Sequence, residues 1–116
     1  DEYPLIERRS VPVDKVRSLI VVDTQRRSRL GKVAEWLDLP GVKVSVYDHH
    51  TDAESDLHPV QAEIAAVGAV TTLIAEKLQQ AGMNPTPIEA TVMALGVHVD
   101  TGSLTFDHST ARDARA

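Results

Sequence analysis

The sequence predicts a parallel, Rossmann-like α/β sheet flanked by helices, and three observations carry that prediction. Short apolar runs rich in β-branched residues alternate with segments of helical spacing. Three apolar segments each end on an acid: Asp23 after residues 19–22, Asp48 after 42–47 and Asp100 after 94–99. The second acid opens Asp48-His49-His50, which delivers hard and borderline metal ligands to the carboxyl edge of a sheet, where open α/β folds keep their sites.

Taken in order, residues 18–22 form a continuous β-branched run suited to a buried parallel strand. Residues 28–37 follow helical spacing, with Leu30, Val33, Ala34 and Leu37 on one face, and Leu39-Pro40-Gly41 stops the helix. Residues 42–47 give the second strand. An acidic loop around Asp52, Glu54 and Asp56 follows the Asp-His-His turn, and residues 60–67 read as a third strand. Residues 68–80 read as a helix burying Val70, Leu73, Ile74 and Leu78, closed by Ala81-Gly82. Thr86 and Pro87 have the chemistry of an N-cap and first turn, so 88–99 continues as a helix. The segment after Ser109 or Thr110 reads as the opening of one more, and the ends of the chain read as cut, with neighbouring sequence expected on both sides.

Composition narrows the function classes. The 116 residues make one domain, 42% hydrophobic and 25% charged, as in a globular chain. No run approaches the roughly 18 apolar residues that a membrane span needs, and Asp1-Glu2-Tyr3-Pro4 is unlike a signal peptide, so a cytoplasmic location is expected. With no cysteine, thiolate zinc sites and disulfides are excluded and imidazole and carboxylate remain, which suit manganese, magnesium, iron or cobalt. The net charge of −5 argues against a nucleic-acid platform in this chain alone.

Asp23 after a β-run, Asp48-His49-His50 after the next, and Ala94-Leu95-Gly96-Val97-His98-Val99-Asp100-Thr101-Gly102-Ser103-Leu104 together resemble the second, third and fourth motifs of the DHH phosphoesterase superfamily, in the right order and spacing. The run from Val21 to Arg29, and Asp100 to Phe106 leading into Ser109-Thr110-Ala111-Arg112-Asp113, look like the DHH module fused with CBS domains to bacterial tRNA nucleotidyltransferase or poly(A) polymerase proteins. On this resemblance residues 1–116 are a partial DHH domain. It implies a two-metal site for Mn2+ or Mg2+ in the intact domain, hydrolysing phosphodiester bonds of nucleotides or short oligonucleotides. RNA would be held by other domains of the parent.

The resemblance implies that Asp23 bridges the metals, His49 binds one of them and Asp100 completes that ion's shell. His50 would then face the substrate phosphate and Asp48 would orient an imidazole, with Thr24, Thr101 and Ser103 as supporting hydroxyls. The family's acid-rich first motif and its carboxyl-terminal domain have no counterpart here, so weak metal binding and little or no turnover are expected from the chain alone. Pairing of two copies through an open sheet edge is a further expectation.

Each feature has a plainer reading. Alone, Asp48-His49-His50 is a polar loop after a strand, Asp23 a turn or cap, and Asp100-Thr101-Gly102 a helix or strand terminus; their conjunction favours the metal site. His58 and His108 read as solvated loop residues, and His98 has no assigned role. Arg26, Arg27 and Arg29 read first as a solvated helix start and second as a phosphate-steering patch. Arg112 and Arg115 read as exposed, and Trp36 with Leu37 as core or interface. Two further readings stay open: a non-catalytic module that folds, dimerises or positions RNA within a tRNA-processing parent, and a mononuclear metal domain unrelated to phosphate.

Overall fold

A three-stranded parallel sheet organises the chain, with strands in sequence order: β1 (Ser18–Val22), β2 (Lys43–Asp48) and β3 (Gln61–Ile64). The computed structural model describes residues 6–116, so Asp1-Glu2-Tyr3-Pro4 lies outside the described residues. A 3₁₀ segment, Arg27–Asp38, connects the first two strands; helices α1 (Val70–Gln80) and α2 (Pro87–Asp100) follow the third. The predicted α/β class and its parallel sheet are thus observed.

β2 is central, and its residues alternate: Val44, Val46 and Asp48 are buried, and Ser45 and Tyr47 are half-buried. Val44 and Val46 join Val21 of β1 and Leu57 of the following loop in one apolar cluster, flanked by Leu19, Leu30, Leu37, Val42 and Ile64. β1 departs from the expected buried strand. Ile20 and Val22 are 63% and 48% exposed, because only the Leu19 and Val21 face of this strand packs.

The connection after β1 also differs from expectation. It is 3₁₀ rather than α, interrupted at Gly31, whose φ of 54° and ψ of −133° are not helical. The Arg27 guanidinium grips Asp38 at the far end of the segment, and its backbone N–H donates to Asp56 Oδ1 at 2.6 Å. These contacts fasten a segment too irregular to hold its shape by α-helical bonding. β3 is shorter than the predicted 60–67.

α1 begins at Val70, two residues later than expected. Leu73 and Val70 are buried as predicted, while Ile74 and Leu78 are half-buried. Thr72 is fully buried instead, satisfied by a hydrogen bond described below. α2 carries the expected cap as a reciprocal box: Glu89 N–H donates to Thr86 Oγ1 at 3.3 Å, and Thr86 N–H to Glu89 Oε2 at 2.8 Å. Both helices end in the same motif. Gly82 and Gly102, at φ 67° and 55°, occupy the left-handed position after the cap, and the next N–H returns to Leu78 O and His98 O at 2.9 and 2.8 Å. Asp100-Thr101-Gly102 is therefore a helix terminus in its local form.

After α2 the described chain runs in turns, not as the predicted helix, although Thr110 does cap the last of them, accepting from Arg112 N–H at 3.2 Å. Arg112 is half-buried rather than exposed, the state read from the sequence. Its guanidinium takes both oxygens of Glu76 on α1, at 2.9 and 2.6 Å.

Candidate metal centre

Asp23, Asp48, His49 and His50 converge at the carboxyl ends of β1 and β2, each offering a ligand atom within 4.8 Å of the others. Parallel pairing puts them there: β1 and β2 run side by side, Val22 against Tyr47, so the residues that follow both strands emerge together. Asp23 sits at φ 63°, a left-handed conformation uncommon for a residue with a side chain. Its N–H still bonds to Tyr47 O at 3.0 Å, so the turn starts immediately after the last ladder bond.

His49 is the best defined of the four. Its Nδ1 lies 3.1 Å from Val67 O, and since a carbonyl only accepts, Nδ1 carries the hydrogen. In the neutral ring Nε2 then presents a lone pair, 3.2 Å from Asp23 Oδ1. Two acceptors held this close call for a proton or a cation between them. Fixing the distal imidazole nitrogen by a hydrogen bond from the proximal one is how proteins orient metal-binding histidines.

Asp48 is fully buried and wholly engaged. Oδ1 accepts from His49 N–H at 2.9 Å and His50 Nδ1 at 2.7 Å, and Oδ2 accepts from Gln25 Nε2 at 2.9 Å. Burial pushes its pKa up, but the bonds from His50, Gln25 and the His49 backbone outweigh that and the net direction is down. His50 moves the opposite way: its bond to Asp48 raises its pKa, burial opposes, and the charges of Asp48, Asp23 and Asp52 add to the rise. Asp48 thus holds His50, while the Val67 carbonyl holds His49.

Gln25 is a site residue that sequence reasoning missed. It is 6% exposed and its amide also donates to His50 O at 2.8 Å, so it braces the Asp-His-His turn from the β1 side. Asp113 was missed as well. It is 4% exposed, and its carboxylate accepts from the N–H groups of Gly68 (3.0 and 2.9 Å), Ala69 (3.3 Å) and Thr110 (2.6 Å) and from the hydroxyls of Thr72 (2.6 Å) and Thr110 (2.7 Å). Burial raises its pKa, the Thr72 and Thr110 hydroxyls and the amides lower it more, and it falls to about 2.

That carboxylate sits at the start of α1, where a negative charge meets the free amides of the first turn. Gly68 has no room for a side chain: a Cβ would stand 2.5 Å from Thr101 Cγ2 and 3.0 Å from Asp113 Oδ2. The neighbouring residue is Val67, whose carbonyl orients His49. The signal in the sequence was the Thr110-x-x-Asp113 spacing of a capping box.

Asp100 closes α2 and is not part of the four-residue cluster. Thr101, expected as a possible supporting hydroxyl, instead serves the helix end: Oγ1 donates to Val97 O at 2.6 Å and accepts from Leu104 N–H at 3.0 Å. Ser103 is exposed, and Thr24 Oγ1 accepts from Arg26 N–H at 3.1 Å beside the cluster.

The donors are nitrogen and oxygen only, an assortment that suits Mn2+, Mg2+ or another borderline-to-hard divalent ion. Asp23, the His49 Nε2 and the His50 Nε2 are the atoms open to one, since both Asp48 oxygens and the His50 Nδ1 are engaged. Among the described residues no helix is long and apolar enough to cross a membrane.

No protein-family model matches the chain. It is 41% identical over 113 residues to an A-adding tRNA nucleotidyltransferase of Geobacter sulfurreducens, covering 97% of this chain and 13% of that protein. It is 39% identical over 74 residues to the A-adding tRNA nucleotidyltransferase of Aquifex aeolicus, covering 64% of this chain and 9% of that one. The chain thus spans about an eighth or less of the length of either relative and is similar to a segment of A-adding tRNA nucleotidyltransferases.

Proposed function

We propose that this chain is part of a DHH-type, metal-dependent phosphoesterase domain carried by a tRNA nucleotidyltransferase-like, cytoplasmic protein. In that protein the domain hydrolyses phosphodiester bonds of nucleotides or short oligonucleotides. The observation that supports this most is the His49 Nε2 lone pair facing Asp23 Oδ1 at 3.2 Å, with the ring fixed from behind by Val67 O. Mn2+ or Mg2+ held there would polarise a phosphate oxygen and lower the pKa of a bound water.

The chain's own residues have separate tasks. Asp23 and His49 hold the ion, with Asp100 as the third ligand that the family resemblance suggests. His50, kept protonated more readily by Asp48, neutralises charge that develops on the phosphate. Asp48 and Gln25 keep His50 and the turn in place. RNA recognition and nucleotide addition belong to the remainder of the longer protein.

The test is diadenylate hydrolysis with Mn2+ by the longer protein that carries this segment, beside its His49→Ala variant. Hydrolysis should fall by about 100-fold or more with A-addition to tRNA retained. Wild-type protein without hydrolysis would contradict the reading. It would favour the second one, a non-catalytic module that positions RNA, for which the specific support is that Asp48, the buried acid of the cluster, has both oxygens taken by protein donors.

A further inference from the structure

Beside the cluster lies an open cleft of about 620 Å³, whose lining includes Asp23, Asp48, Asp52 and His50 together with Arg26 and Arg29. Its size falls within the range of small-ligand sites. The three arginines that follow β1 are not equivalent. Arg27 is bound to Asp38 and takes no part in the cleft, whereas neither the Arg26 nor the Arg29 guanidinium has a hydrogen-bond or ion-pair partner among the described residues. Arg29 N–H bonds to Arg26 O at 3.1 Å, so the turn that opens the 3₁₀ segment brings these two residues close together.

Two unpaired guanidinium groups thus line the same cleft as the carboxylates of Asp23, Asp48 and Asp52. The acids and the imidazole of the cleft suit a cation, and its forked N–H donors suit an oxyanion. We infer that Arg26 and Arg29 bind the phosphate group of a nucleotide substrate, gripping oxygens that the ion does not take. The inference rests on the metal-dependent reading above and adds to it the residues that hold the anion. Arg27, whose charge is equal and whose position in sequence is adjacent, braces the fold.

The test is calorimetric titration of the chain with inorganic phosphate and with AMP, with and without Mg2+, for the wild type and for Arg26→Gln, Arg29→Gln and Arg27→Gln. Thermal melts of each variant accompany it. The inference expects affinity to fall about tenfold in Arg26→Gln and Arg29→Gln with melting unchanged, and less than about threefold in Arg27→Gln. Equal losses in all three would reduce the effect to net charge and overturn it, as would no loss, or no anion binding by the wild type. Anion binding that depends on Arg26 and Arg29 but not on Mg2+ would uphold the arginines and count against the metal reading instead.

Discussion

Asp23 carries two burdens at one position, an uncommon backbone conformation and an open carboxylate. A side chain at φ 63° costs about 1 kcal/mol, and the carboxylate, 53% exposed, returns little of it to the fold. Asp23→Gly removes both: stability by urea denaturation should be unchanged or raised by up to about 1 kcal/mol, while divalent-ion binding is lost. A loss of stability of more than about 1 kcal/mol would mean that the carboxylate contributes to folding. Strain kept at a site-facing residue is the pattern of a position retained for chemistry. Asp48 is the contrasting case, because its charge is matched by three donors and its work is internal.

Among the elements, the carboxylate that ties the last turn to the start of α1 governs acid stability. Asp113 has its pKa lowered from 3.8 to about 2, so its contribution is present above the unfolded value and is lost as pH falls through the interval toward 2. Asp48 and Glu76 are shifted in the same direction and add to the loss. The wild type should lose about 2 kcal/mol of Asp113-linked stability between pH 5 and 2, read by denaturant melts at each pH. Asp113→Asn should start less stable and show a flatter profile; parallel profiles would contradict the linkage. Because Asp113 holds Gly68 and Gly68 adjoins Val67, the same variant should also loosen His49.

The elements differ in how far the sequence disclosed them. β2, α1 and α2 were legible because apolar period, caps and terminal glycines agree there, with Thr86 and Gly82 in their expected roles. The 27–38 segment was not, since its apolar spacing fits a helix while Gly31 breaks it and Arg27 pins it from outside. The convergence of Asp23 with Asp48-His49-His50 was readable from strand ends alone. Gln25 was hidden because its carboxylate partner lies 23 residues away, and for Asp113 the capping-box spacing with Thr110 signalled the local bond but not the bonds to Gly68, 45 residues away.

For the molecule as a whole, packing is uneven. Val21, Val44, Val46 and Leu57 pack into one buried cluster, whereas Ile88, Val92, Leu95 and Val99 of α2 are each more than half exposed. Val44 and Val46 lie on β2, the strand that ends on Asp48, so the best-buried strand leads directly into the site. The central claim is that Asp23 and His49 jointly hold a divalent ion. The measurement that meets it most directly is a calorimetric Mn2+ titration of this chain beside His49→Ala and Asp23→Ala, each checked for folding by circular dichroism. Saturable binding by the wild type, abolished in both variants while they stay folded, is the predicted result. Binding that survives both substitutions, or a folded wild type that takes up no Mn2+, would contradict it.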